Sequence, residues 1–270
     1  MQTAFSPRPS HSASLKPSQP YLQSPLALQT LLLASLSLAA CAPVQMAVPD
    51  NLSQEAKAMT VVKTPVFWIF GRKKMTFGSY QMTDYHQGWT RTNKVEVGPF
   101  DASRAKQRFE FKLTPDQGKT WQGKCGVAAS RKGLSGKVGG GTLAFEFDTK
   151  ASLNCTFKEK DAGSWTMALS LQGTGIDGDA LLAGVLTDGK RRFQVEGTDE
   201  AEGTRFTSGD HTGFSIKDEG RVLGAVQVIN HPKVWMDPAA EPELGPHLAL
   251  VSTALLLQPD LLEQLQASTD

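Results

Sequence analysis

Short runs of alternating apolar and polar residues dominate the chain between Val66 and Asn230. Phe109, Phe111 and Leu113 alternate with Glu110 and Lys112. Leu143, Phe145 and Phe147 alternate with Ala144 and Glu146, and Trp165, Met167, Leu169 and Leu171 with Thr166, Ala168 and Ser170. Phe193 and Val195, then Phe214 and Ile216, continue the habit. A period of two puts one face of each strand in a core and the other in water, as in antiparallel sheets. Turn signals separate the runs: Pro115-Asp116-Gln117-Gly118, Gly139-Gly140-Gly141, Asp188-Gly189 and Asp218-Glu219-Gly220. Asp-Gly between strands is a hairpin cue because tight hairpin turns need positive φ. The spacing predicts roughly a dozen strands. Only Asp101–Arg108 reads as a competing short turn of helix.

The C-terminal part follows a different period. From Asp237-Pro238 to about Leu265 the pattern is helical. Between His247 and Gln258 only Ser252 and Thr253 are polar. A helix apolar on every side must be buried all round or lie in a bilayer, and this one is too short to span. Pro246 suits its start and Pro259 its end; Leu261, Leu262 and Leu265 form a second short amphipathic piece. An antiparallel sheet of about twelve strands that must bury such a helix is best satisfied by a barrel closed around it, which also removes exposed strand edges. A two-sheet β-sandwich with the helix packed across one end is the competing arrangement.

The segment Arg221–Gln258 carries a late strand, a Val234-Trp235-Met236-Asp237-Pro238 turn, a short acidic link and then the apolar helix. In this order it resembles the tubby-like superfamily of phospholipid scramblases and LURP-one proteins, which implies a twelve-stranded barrel around a C-terminal hydrophobic helix. The basic lipid-binding residues and the cysteine-rich acylation cluster of those families have no counterpart here. Their lipid chemistry therefore passes to no residue of this chain.

The N-terminus adds a location. Leu26–Cys41 carries no charge and ends in Leu38-Ala39-Ala40-Cys41. Its length fits a signal-peptide h-region, and its end resembles the lipobox of bacterial lipoproteins, which implies acylation of Cys41. Residues 1–40 are then a signal peptide, 41–60 a lipid anchor and tether, and 61–270 the barrel domain. Ala42, rather than Asp, follows the anchor cysteine; by the same resemblance this implies an outer-membrane lipoprotein facing the periplasm. Residues 42–270 hold 26 basic and 27 acidic side chains, which argues against a nucleic-acid partner. The expected partners are the membrane, through the lipid, and a second envelope protein. Cys125 and Cys155 form an even pair on the inward phase of neighbouring strands, and an oxidising compartment predicts a disulfide between them.

Candidate chemistry is sparse, and no catalytic residue, metal site or cofactor is expected. Asp84, His86 and Arg91 could make a small polar site but read better as a strand edge and turn. Thr207-Ser208-Gly209-Asp210-His211 holds the residue types of a hydrolase triad, yet triads join distant segments rather than neighbours. His86, His211, His231 and His247 lack metal-ligand spacing. The Arg72-Lys73-Lys74 run reads as a solvated turn. Trp68, Trp89, Trp121, Trp165 and Trp235 read as core rather than cavity lining. The sum is a binding or scaffold module; a hydrophobic-ligand carrier using the barrel interior and a hydrolase are the alternatives.

Overall fold

The computed structural model describes residues 43–64, 73–138, 141–159, 163–172, 181–203, 211–261 and 264–265. Val44–Asp270 form one compact unit in themselves. The strands are β1 (Met59–Thr60), β2 (Val62–Thr64), β3 (Lys74–Phe77), β4 (Tyr80–Gln87), β5 (Arg91–Val97), β6 (Phe100–Pro115) and β7 (Trp121–Val138). They continue as β8 (Gly141–Glu159), β9 (Ser164–Gln172), β10 (Leu181–Thr187), β11 (Arg192–Thr198), β12 (Gly213–Asp218), β13 (Arg221–Gln227) and β14 (Lys233–Met236). Two helices accompany them, α1 (Asp50–Glu55) and α2 (Gly245–Leu257).

The strands form a nearly closed antiparallel barrel. From β6 to β14 each strand pairs with the next, so the connections are hairpins. Closure falls on one segment. β1 pairs with β14 and β2 pairs with β3, and only Val61 separates β1 from β2. The stretch Met59–Thr64 therefore changes partner at Val61 and seams the two ends of the sheet.

The interior follows the alternation. Phe109, Phe111, Leu113, Trp121, Leu153, Phe157, Trp165, Met167, Phe193, Val195, Phe214 and Ile216 are all buried. Gly123 belongs to the same inward row, where a Cβ would strike the ring of Phe111; this glycine lets an aromatic ring lie against the wall. Helix α2 fills the centre, and every residue from Leu248 to Leu256 is buried. Its two polar residues bond within the helix: Ser252 Oγ donates to Leu248 O and Thr253 Oγ1 to Ala249 O, both at 2.8 Å. Neither hydroxyl then needs water or a core partner. Burial on all faces matches a barrel around a helix, not a helix lying across one end of a sandwich.

Three expectations need correction. Asp101–Arg108 is strand, the start of β6. The tether does not run to residue 60. Met46 and Leu52 are buried against Ala225 and Trp235, and Met46 N–H donates to the buried Gln227 Oε1 at 3.0 Å. Residues 44–60 carry enough apolar side chains to wrap the outside of β13 and β14 and supply the seam. Third, Trp89 is not core: it is 95% exposed, because it falls in the break between β4 and β5. Trp121, Trp165 and Trp235 are buried as expected.

Strand register assigns the ends of the barrel. One end holds Val44, the start of β3, the end of β13 and the C-terminus of α2. We term it the near end. At the other, the far end, α2 begins beside Trp121 and Trp165.

Candidate functional site

A cavity of about 270 Å³ opens at the near end, lined by Lys63, Lys73, Lys74, Met75, Met82, Tyr85, Gln87, Leu256, Leu257 and Pro259. Each element contributes by its phase. β2 brings Lys63 and β3 brings Lys74 beside inward-facing Met75; β4 brings Met82 and Tyr85. Helix α2 ends here and Pro259 turns the chain away, so Leu256 and Leu257 close the base. The result is an apolar floor under a basic rim.

The rim is electrostatically one-sided. No acidic side chain lines the cavity, and none of the three lysines makes an ion pair among the described residues. Lys73 Nζ stands 4.9 Å from the centre of the Tyr85 ring, a cation–π contact, and Tyr85 Oη donates to Gln87 Oε1 at 3.0 Å. Partial burial, then the charge of Lys73, holds the Lys63 ammonium below the usual lysine range. Burial raises the Tyr85 hydroxyl above the usual tyrosine range. Part of the lysine charge offsets the negative end of the α2 dipole; the remainder is available to an anion with an apolar tail.

The far end is closed. The His247 ring packs 4.9 Å from Trp121 and 4.5 Å from Trp165. Trp165 stacks on Phe193 at 5.8 Å, and the Arg191 guanidinium lies 5.2 Å from the Trp165 ring centre. His247 Nδ1–H donates to Glu243 O at 2.9 Å. Burial lowers the His247 pKa, only partly opposed by that hydrogen bond.

The other sequence candidates disperse. Cys125 and Cys155 face each other across the β7–β8 ladder with sulfurs 2.05 Å apart, at disulfide distance. Asp84 is paired with Lys112 at 3.0 Å, while His86 and Arg91 are exposed. His211 Nε2 accepts the Leu182 N–H at 2.8 Å and its ring packs on Phe214. Cys41, Trp68, Arg72, Ser208 and Asp210 lie outside the described residues. No group of three or more potential metal ligands occurs among the described residues. Sequence reasoning saw Lys73 and Lys74 only as a turn and missed Lys63, which the seam brings beside them. A search for basic residues flanking each strand end would have found all three. No family model, curated protein or solved structure matches the chain.

Proposed function

We propose that the protein is a lipid-anchored binding module of the bacterial cell envelope, attached through Cys41 and facing the periplasm from the outer membrane. The near-end cavity is its ligand site. One observation carries the reading: three lysines that pair with no acid among the described residues converge over an apolar floor. That chemistry fits an anionic amphiphile, a phosphate or carboxylate joined to hydrocarbon. The filled interior favours binding at the rim over carriage through the barrel. The hydrolase alternative loses support because His211 Nε2 is committed to a backbone amide and Asp84 to Lys112. Export to an oxidising compartment accounts for the Cys125–Cys155 pair as a structural disulfide.

The test is calorimetric titration of the chain from Ala42 onward with dodecyl phosphate and with dodecyl maltoside. The phosphate should bind and the maltoside should not. Lys63→Ala with Lys74→Ala should weaken phosphate binding by about tenfold or more, at roughly 1 kcal/mol per charged contact. Equal binding of both amphiphiles would exclude an anion site. Attachment is checked separately: Cys41→Ser should abolish acylation and detergent partitioning.

A further inference from the structure

Strands β6, β7 and β8 are far longer than the others, at 16, 18 and 19 residues. Beyond the barrel wall they continue at the near end, with β5 paired to β6, as a four-stranded paddle. Register places its outward face row by row. At the tip, Val97, Phe100 and Leu134 lie opposite one another. The next rows bring Val95, Ala102, Lys132 and Asp148, then Asn93, Arg104, Ser130 and Lys150, then Arg91, Lys106, Ala128 and Ser152. An apolar edge therefore gives way to a basic band within about 20 Å.

The apolar edge is exposed, with Val97 at 68% and Phe100 at 57%. Val95 and Leu134 are exposed beside it. The basic band lines a groove of about 560 Å³ on the same face, with Arg104, Lys106, Lys132 and Lys150 against the single acid Asp148. Lys132 and Lys150 both pair with that carboxylate, at 2.9 and 3.4 Å. Residues 91–108 and 127–152 hold nine basic and four acidic side chains, whereas the rest of 42–270 holds 17 basic and 23 acidic. Positive charge is thus concentrated in the part that exposes Val95, Val97, Phe100 and Leu134 together.

We propose that the paddle docks on an anionic phospholipid bilayer, its apolar edge entering the headgroup region and its basic band meeting the phosphates. The order of the rows is the order a bilayer presents: hydrocarbon first, then charge. The chain enters the domain at Val44, at the same end, and three residues from Cys41 span at most about 11 Å. An acyl chain on Cys41 would hold this end, not the far end, at the membrane. Only that orientation rests on the lipidation reading; the docking surface does not.

The experiment uses the chain from Ala42 onward, which lacks Cys41, in sedimentation with vesicles at low salt. Vesicles of equal parts phosphatidylglycerol and phosphatidylcholine should bind it, and phosphatidylcholine alone should not. Arg104→Glu with Lys106→Glu should reduce binding by about 20-fold or more, at roughly fivefold per basic residue. Val97→Ser with Phe100→Ser should reduce it by about tenfold and remove what survives at high salt. Lys119→Glu with Lys190→Glu, at the far end, should change nothing, and circular dichroism should confirm that all variants are folded. No binding to the anionic vesicles, equal binding to neutral ones, or the same loss from the far-end pair would each overturn the proposal. Because no lipid is attached, failure of the acylation reading leaves this result standing, and the reverse also holds.

Discussion

The two ends of the barrel are built to opposite specifications. At the far end, α2 starts under a lid of aromatic rings, with His247 between Trp121 and Trp165. At the near end, α2 stops short and leaves Leu256 and Leu257 as the floor of a lysine-rimmed cavity. The far end maximises contact among large side chains, where each buried ring contributes several kcal/mol. The near end gathers like charges, and partial burial followed by the charge of Lys73 lowers the Lys63 pKa. Natural chains accept such a penalty mainly where a ligand or surface relieves it. The proposed division of labour places stability at the far end and binding at the near end, with the helix joining them.

The severest way to break this division is to attack the joining helix. Leu250 is fully buried on one face of α2 and Leu255 almost so on another. Leu250→Asp and Leu255→Asp should each unfold the domain, because an unpaired buried carboxylate costs several kcal/mol against a total stability of about 5–15 kcal/mol. Thermal melts of the two variants decide it, and a mild effect from either would mean that α2 is not enclosed on both faces. Next in size, Trp165→Ala at the far end should cost about 3–5 kcal/mol. Lys74→Ala at the near end should cost less than about 0.5 kcal/mol or even stabilise. Urea titrations compare the pair, and equal losses would erase the contrast between the ends.

The smallest expected effect is a pH dependence at the far end. Burial depresses the pKa of His247 below its unfolded value, so the unfolded state binds the extra proton more readily. The contribution of this site is complete above the unfolded pKa of about 6.5 and declines as pH falls toward the folded value. Melting temperature should drop between pH 7 and pH 5, and His247→Gln should flatten part of that drop. An identical slope in the variant would remove His247 as a source of acid sensitivity.

Much of the barrel was legible because period-two alternation survives wherever one face meets the core. Phe109, Phe111 and Leu113 announce themselves, as does a helix with no polar side. The paddle was not, for the same reason in reverse. Around Asp101–Arg108 the buried positions are Ala105 and Gln107, one small and one polar, so hydrophobic alternation fades, and Ala102 and Ala105 among charged residues imitate a helix. The basic band was equally hidden. Arg104, Lys132 and Lys150 are far apart in sequence and become neighbours only through cross-strand register, a property no local window contains. The packed segment 44–60 reads as a tether because Met46 and Leu52 are isolated apolar residues whose partners, Ala225 and Trp235, lie near the opposite end of the chain.

The seam at Val61 has a bearing on how the molecule comes to exist. β1 pairs Met59 with Val234 and Thr60 with Lys233, contacts between the first strand made and the last. Such distant pairings form slowly. Until they do, the free edges of β14 and of the Met59–Thr64 strand stay open to pairing with another chain. The wall must also remain unfastened until α2, which follows β14, has reached the interior. Helix entry and seam closure thus become one late event, which leaves the newly made chain longest in its aggregation-prone form and gives any holding chaperone its interval of action.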